Sequence, residues 1–314
     1  MMTLPLKKVI TNPKIYLRLI ALGTSALIVV FTFLWLPSWP TVSPPVVAAE
    51  TAPVKTNPAV FFANLNLEAK AVMVWDVENR QVLYESNADQ QLPLASITKI
   101  MTALVAADIF ADSDLITISP SALAGGSNAG LLEGDTWTFK DLMDYKLTTS
   151  SNGASSAIVE AANQKTNNDF ITRMNSTAAT LGLNKSYFIN ATGLDVGELY
   201  GGSYGSARDI AVLLSHIITT KPDLMTATVK SSINRTSQSG RTYTGKNTND
   251  IVNQIPGLLA SKTGYTLAAG GNLAIAFDAG LRQPVVIVVL GSSLDGRFRD
   301  VLKLTRATFN YFSN

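Results

Sequence analysis

The order of periodicities between residues 60 and 314 constrains the fold most. The runs 71–77 and 81–86 are apolar and β-prone, and they flank Glu78-Asn79-Arg80. They read as a hairpin. Apolar residues then recur at helical spacing in 96–109, 141–147, 154–163, 171–182 and 207–218. Three strand-like runs follow, at 257–266, 272–279 and 284–293, and the amphipathic segment 297–312 comes last. Strands at both ends with helices between them predict one α+β domain. Its antiparallel sheet would combine both ends of the domain, flanked by helices, around a helical middle subdomain. About 255 residues can bury a substantial core. Gly125-Gly126 and Gly201-Gly202 read as plain turns.

Ahead of this body the composition changes. Residues 1–14 form a short basic tail with Lys7, Lys8 and Lys14. Segment 15–36 follows, and from Leu19 to Leu36 it is uncharged. Roughly 20 apolar residues cross the hydrocarbon core of a bilayer. The basic residues before it place the N-terminus in the cytoplasm and the rest outside. A cleaved signal peptide would have a shorter apolar region and a nearer cleavage site. The candidate site, Val47-Ala48-Ala49, stands far past Leu36. An uncleaved anchor is therefore the preferred reading. Residues 37–59 hold six of the 13 prolines and read as a stiff extended linker. Such a tether could reach about 70 Å and hold a domain at 60–314 clear of the bilayer.

Composition removes several chemistries. Cysteine is absent, so disulfides, thiolate nucleophiles and Cys-based zinc sites are excluded. The single histidine, His216, excludes a His-rich metal site. It falls in a helical apolar run with no serine motif nearby and reads as structural. Net charge is +2. Four basic residues in 1–49 face no acid there, which leaves 21 basic and 23 acidic residues in the remainder. That balance argues against a nucleic-acid partner.

Three short motifs stand in order: Ser96-Ile97-Thr98-Lys99, Ser150-Ser151-Asn152 and Lys262-Thr263-Gly264. Each has a bland explanation alone. Ser96 could be a helix N-cap, Ser150 and Asn152 a loop and cap, and Lys262 a surface lysine. Together they match S-x-x-K, S-x-N and K-T-G, the signature of serine β-lactam-reactive enzymes. The chemistry explains the residue types. A serine hydroxyl needs a base before it attacks a carbonyl. Residues i and i+3 of a helix share a face, so Lys99 can reach Ser96. A free lysine is a poor base at neutral pH; burial and a second cation, Lys262, favour its neutral form. A helix start at Ser96 brings backbone N–H groups to the developing oxyanion. Gly264 would let a substrate backbone approach the strand edge.

With these motifs, the chain resembles the low-molecular-mass penicillin-binding proteins, the serine D-alanyl-D-alanine carboxypeptidases. The likeness runs over most of residues 65–312, through VWDVENRQVLYESN, LASITKIMTAL, LTTSSNGASSAIVEAAN, MNSTAATLGL, FINATGLD, GSARDIAVLL, ASKTGYTLAAGGNLAIA and GRFRD. It implies a β-lactamase/penicillin-binding-protein-like fold. Ser96 would be the acylated nucleophile and Lys99 its base. Ser150 would relay a proton to the leaving D-alanine, and Asn152 would orient Lys99 and the substrate amide. Lys262 would tune the site. The N–H groups of Ser96 and Tyr265 would form the oxyanion hole. Thr263 and Gly264 would line the substrate edge, and Thr266 and Arg297 would hold the terminal carboxylate. The substrate would be a peptidoglycan stem peptide, with β-lactams as acylating inhibitors and no metal or organic cofactor.

Two departures from the family stand out. Gly153 replaces an aspartate, and no C-terminal β domain follows the last helix, so the N-terminal helix would supply the membrane attachment. The expected location is the bacterial cytoplasmic membrane, single-pass, with the catalytic domain outside. Three rivals remain. A D,D-endopeptidase would differ only in groove shape. A β-lactamase would carry an E-x-x-L-N segment, which Glu198-Leu199-Tyr200 does not match. A non-catalytic wall-binding or β-lactam-sensing protein would not need three intact motifs.

Overall fold

A computed structural model describes residues 57–197, 200–280 and 282–314. The anchor expected at 15–36 and the linker up to residue 56 lie outside the described residues, as do Glu198 and Leu199. Among the described residues no helix is long and apolar enough to cross a membrane.

The central sheet has five strands: β1 (Ala71–Asp76), β2 (Gln81–Ser86), β3 (Leu258–Thr266), β4 (Gly270–Asp278) and β5 (Pro284–Ser292). Their spatial order is β3-β4-β5-β1-β2, and all four pairings are antiparallel. The β1–β5 pairing, with Val74 opposite Ile287, joins the two ends of the domain. The expected hairpin and the three late strands are all present. The helices are α1 (Lys99–Ala106), α2 (Phe139–Thr149), α3 (Asn152–Thr166), α4 (Phe170–Thr180), α5 (Ala207–Thr220) and α6 (Gly296–Phe312). Four of them start on side-chain caps. Thr138, Ser151, Asp169 and Ser206 each accept the backbone N–H three residues on.

Strand β5 is apolar on both faces because both faces are covered. Val285, Ile287 and Val289 pack with Phe298, Val301 and Leu304 of α6. Val286, Val288 and Leu290 turn the other way, into the cluster that holds Ile100 and Leu104 of α1 and Ile210 and Leu214 of α5. Each such side chain contributes about 1.5–3 kcal/mol on burial. Both layers therefore clamp the sheet. The buried Asp300 adds a polar tie, accepting from Glu68 N, Ala69 N and Ser292 Oγ.

Sequence reading placed no strands at three further sites, one of them a small sheet of Leu92–Pro93, Ser203–Gly205 and Tyr187–Phe188. Leu115–Thr117 pairs with Thr136–Thr138 near α2, and Ser232–Thr236 pairs with Thr242–Lys246 against α2. The second hairpin is built largely from Ser, Asn, Thr, Gly, Arg and Lys, with only Ile233 and Tyr243 as buried hydrophobics. Its alternation is too weakly apolar to stand out. The 3-10 segment Pro222–Val229 lies beside β3, where Thr228 accepts from Ser261 N and its carbonyl from Ser261 Oγ. Strand β3 is the sheet edge, and its far end, Thr263–Thr266, borders an open cleft.

Candidate active site

Ser96 lies on a 3-10 turn, Ala95–Thr98, that runs into α1. It therefore precedes the α-helix instead of opening it. The change preserves the geometry, because residues i and i+3 eclipse in a 3-10 turn. Ala95 just before it has φ +48°, a left-handed conformation that costs on the order of 1–3 kcal/mol. Surrounding bonds hold it there. Asn272 Nδ2 donates to the Pro93 and Leu94 carbonyls at 3.0 Å each, and Thr98 Oγ1 donates to Ala95 O at 2.6 Å.

Lys99 is fully buried. Its Nζ lies 2.7 Å from Ser96 Oγ, 2.7 Å from Asn152 Oδ1 and 2.9 Å from Thr192 O. Two of these partners, the amide and the carbonyl oxygen, can only accept. A neutral amine has two N–H bonds and one lone pair. If both N–H bonds go to Asn152 and Thr192, the lone pair faces the Ser96 hydroxyl. Burial, then the nearby cations of Lys262 and Lys146, hold Lys99 well below the usual lysine range.

Lys262, on β3, is also buried. It donates to Ser150 Oγ at 2.9 Å and to Thr263 O at 2.8 Å. Burial, with Arg297 beside it, brings it down to about 7. The second motif is a joint between helices. Ser150 ends α2 at φ +60°, and Ser151, not Asn152, caps α3. That bend points Ser150 at Lys262 and Asn152 at Lys99.

The three motifs meet in a cleft of about 360 Å3. Ser96, Ser150, Asn152, Thr263, Tyr265 and Arg297 are on its wall, and no carboxylate is among its described lining residues. The Thr263 and Thr248 hydroxyls share a hydrogen bond of 2.6 Å. Thr266 Oγ1 accepts from Ala269 N at 3.2 Å, so it also closes the β3–β4 turn. Arg297 Nη1 donates to Gly264 O at 2.8 Å, its guanidinium lies 4.6 Å from the Phe298 ring, and it has no carboxylate partner among the described residues.

Gly264 also makes room within the fold. A Cβ there would lie 2.9 Å from Leu94 O and 3.1 Å from Ser96 N. The space it leaves admits the nucleophile turn. Gly193 plays a similar part at φ +78°, where a Cβ would collide with Ala95 O. The departure at Gly153 is filled from within the fold, since a Cβ there would stand 2.7 Å from Asn128 Oδ1.

Sequence reading missed Thr192, Asn190, Asn272, Thr248 and Lys146. Asn190 Oδ1 accepts from the Thr192 and Gly193 amides, shaping the loop that offers the Thr192 carbonyl to Lys99. An Asn two residues before Thr-Gly is a turn signal that could have flagged it. Asn272 sits inside an apolar strand, where an amide needs partners. His216 is half-buried on α5, outside the cleft lining.

The pattern of the D-alanyl-D-alanine carboxypeptidase family matches residues 56–293. D-alanyl-D-alanine carboxypeptidase DacC of Escherichia coli is 31% identical, over 79% of this chain and 62% of its own length. The chain likewise spans 63% of Bacillus subtilis DacF. An E. coli D-alanyl-D-alanine endopeptidase is 28% identical over 77% of each chain. Among solved structures, penicillin-binding protein D2 of Listeria monocytogenes in its ampicillin-bound form superposes with a TM-score of 0.68. It is 31% identical, and the match covers 78% of this chain and 99% of that one. The fold is that of the penicillin-binding proteins, and the chain belongs to the D-alanyl-D-alanine carboxypeptidase family, peptidase family S11.

Proposed function

We propose that the protein is a serine-type D-Ala-D-Ala carboxypeptidase that removes the terminal D-alanine of peptidoglycan stem peptides through a Ser96 acyl-enzyme. One observation carries the reading. A buried lysine held away from its charged form stands 2.7 Å from a cleft serine, with acceptors for both of its N–H bonds.

Ser96 Oγ attacks the carbonyl of the scissile bond as its proton passes to Lys99 Nζ. The N–H groups of Ser96 and Tyr265 receive the oxyanion. As the C–N bond breaks, Ser150, polarised by Lys262, gives its proton to the departing D-alanine nitrogen and regains one from the Lys99 side. Water then attacks the ester as its proton passes to Lys99 Nζ, and Lys99 returns that proton to Ser96 Oγ as the acyl C–O bond breaks. Arg297, Thr263 and Thr266 receive the terminal carboxylate. A buried cation without a carboxylate partner favours an anion strongly.

β-Lactams enter the same path. Ampicillin is bound in the Listeria relative. The alternative reading, a D,D-endopeptidase, is favoured by one relative of that name. Membrane attachment through residues 15–36, with the catalytic domain on the outer side, is supported by the uncharged run and its basic flank.

The test is D-alanine release from a pentapeptide ending in D-Ala-D-Ala, set against cleavage of a cross-linked dimer. Release from the pentapeptide supports the carboxypeptidase. Cleavage of the dimer alone supports the endopeptidase. Neither activity in a folded protein rejects both.

A further inference from the structure

Beside the cleft of the three motifs lies a second cavity of about 430 Å3. Leu194 lines both, so the two share a wall. That wall belongs to the loop that offers the Thr192 carbonyl to Lys99. Helix α3 links them as well. Asn152 stands in the cleft, while Ser156 and Glu160 stand in the second cavity. Their spacing of four residues each puts all three on one face of the helix. At about 1.5 Å per residue, Glu160 lies about 12 Å along the axis from Asn152.

The lining of this cavity is chemically distinct from that of the cleft. Val159 of α3 and Ile171 of α4 are half-buried there, and Ile189 is exposed although aliphatic. With Leu194 they form an apolar trough. Glu160 is the one carboxylate among the described lining residues, and no cationic side chain is among them. Its Oε2 accepts from the neutral Ser119 hydroxyl. Neighbouring cations do not reach it: Lys165 of α3 pairs with Asp114, and Arg173 of α4 lines a different groove. A half-buried carboxylate without a basic partner favours a cation. An aliphatic trough that contains such a carboxylate matches an alkyl chain tipped by an amine.

We propose that this cavity is a subsite for a substrate residue whose side chain is an aliphatic stem ending in an ammonium group, with Glu160 as its counter-ion. The proposal rests on the reading of the cleft as a stem-peptide site. An extended peptide covers about 3.5 Å per residue. The residue before the acylated D-alanine, with a lysine-like four-carbon stem, brings its amine within reach of the Glu160 side chain. The stem crosses Leu194 and lies on Val159, Ile171 and Ile189. The ammonium meets Glu160 Oε1, which accepts no hydrogen bond among the described residues. No covalent bond changes here, so the subsite acts on selection of the peptide.

The test compares D-alanine release by the full-length chain from two peptides. One is Nα-acetyl-lysyl-D-Ala-D-Ala, with a free ε-amine; the other is acetylated at both lysine nitrogens. The parent should favour the free amine by about tenfold in kcat/KM, the size of one hydrogen bond between charged groups. The preference should reside mainly in KM and shrink at high salt. Glu160→Gln can still accept from Ser119 but carries no charge, and its ratio should fall toward one. Equal turnover of the two peptides by the parent, or a preference that survives Glu160→Gln, would overturn the proposal. Calorimetry with the same peptides reads binding by itself and keeps the two readings apart. Tighter binding of the free amine, with no D-alanine released from either peptide, would reject the carboxypeptidase reading and uphold the subsite. Equal binding without release would overturn both.

Discussion

At the residue scale, burial decides what each basic group can do. Lys99 and Ser96 were legible because their spacing is a chemical requirement. Lys146 was not, since a lysine beside Asp144 in a helical run looks like a solvated residue. Only packing reveals that it faces inward. Lys99→Met should lower penicillin acylation by about 10²–10⁴-fold or more, the usual contribution of a general base. Its melting temperature should stay near the parent's, because removing a buried amine offsets the acceptors left unpaired at Asn152 Oδ1 and Thr192 O. Mass spectrometry and a thermal melt check both, and normal acylation would remove Lys99 from the mechanism. Arg297→Gln separates two roles. Peptide turnover should fall more than penicillin acylation if the guanidinium holds the terminal carboxylate. Equal losses in the two kinetic assays would make the residue purely structural.

At the element scale, long segments with clear periodicity were read within a few residues of their observed bounds. What escaped was short or polar: the ribbon at 115–117 and the hairpin at 232–246, whose strands lack a continuous apolar face. The contacts that aim the nucleophile turn were also invisible. They depend on β4 and the 190–195 loop meeting residues 93–98, far apart in sequence. Gly264→Ala tests that packing. The added methyl would stand 2.9 Å from Leu94 O, so the turn carrying Ser96 must shift. Acylation should fall on the order of 10²-fold, as expected for a misplacement near 1 Å. Asn272→Ala should destabilise the domain by about 1–3 kcal/mol by leaving buried carbonyls unpaired. A urea titration would read that loss, and an unchanged midpoint would mean that water replaces the amide.

At the scale of the whole molecule, the sheet joins both ends of the domain and carries Lys262 into its interior. Stability should depend on pH for that reason. The folded state brings Lys262 down to about 7, while an unfolded lysine titrates near 10.4. Between those values the unfolded chain binds the extra proton, so stability rises with pH. This contribution is fully present above the unfolded value and is lost as pH falls toward about 7. Its full span is about 5 kcal/mol. Chemical denaturation at pH 7 and 9.5 should show the parent gaining on Lys262→Met as pH rises. A constant difference would mean that Lys262 keeps its charge when folded.

The acyl-enzyme at Ser96 is the central claim, and intact mass spectrometry of the full-length chain with benzylpenicillin tests it most directly. The expected result is one adduct per chain, mapped to Ser96 by peptide digestion, that persists over the time course. A folded protein that forms no adduct, or forms one elsewhere, would contradict the account.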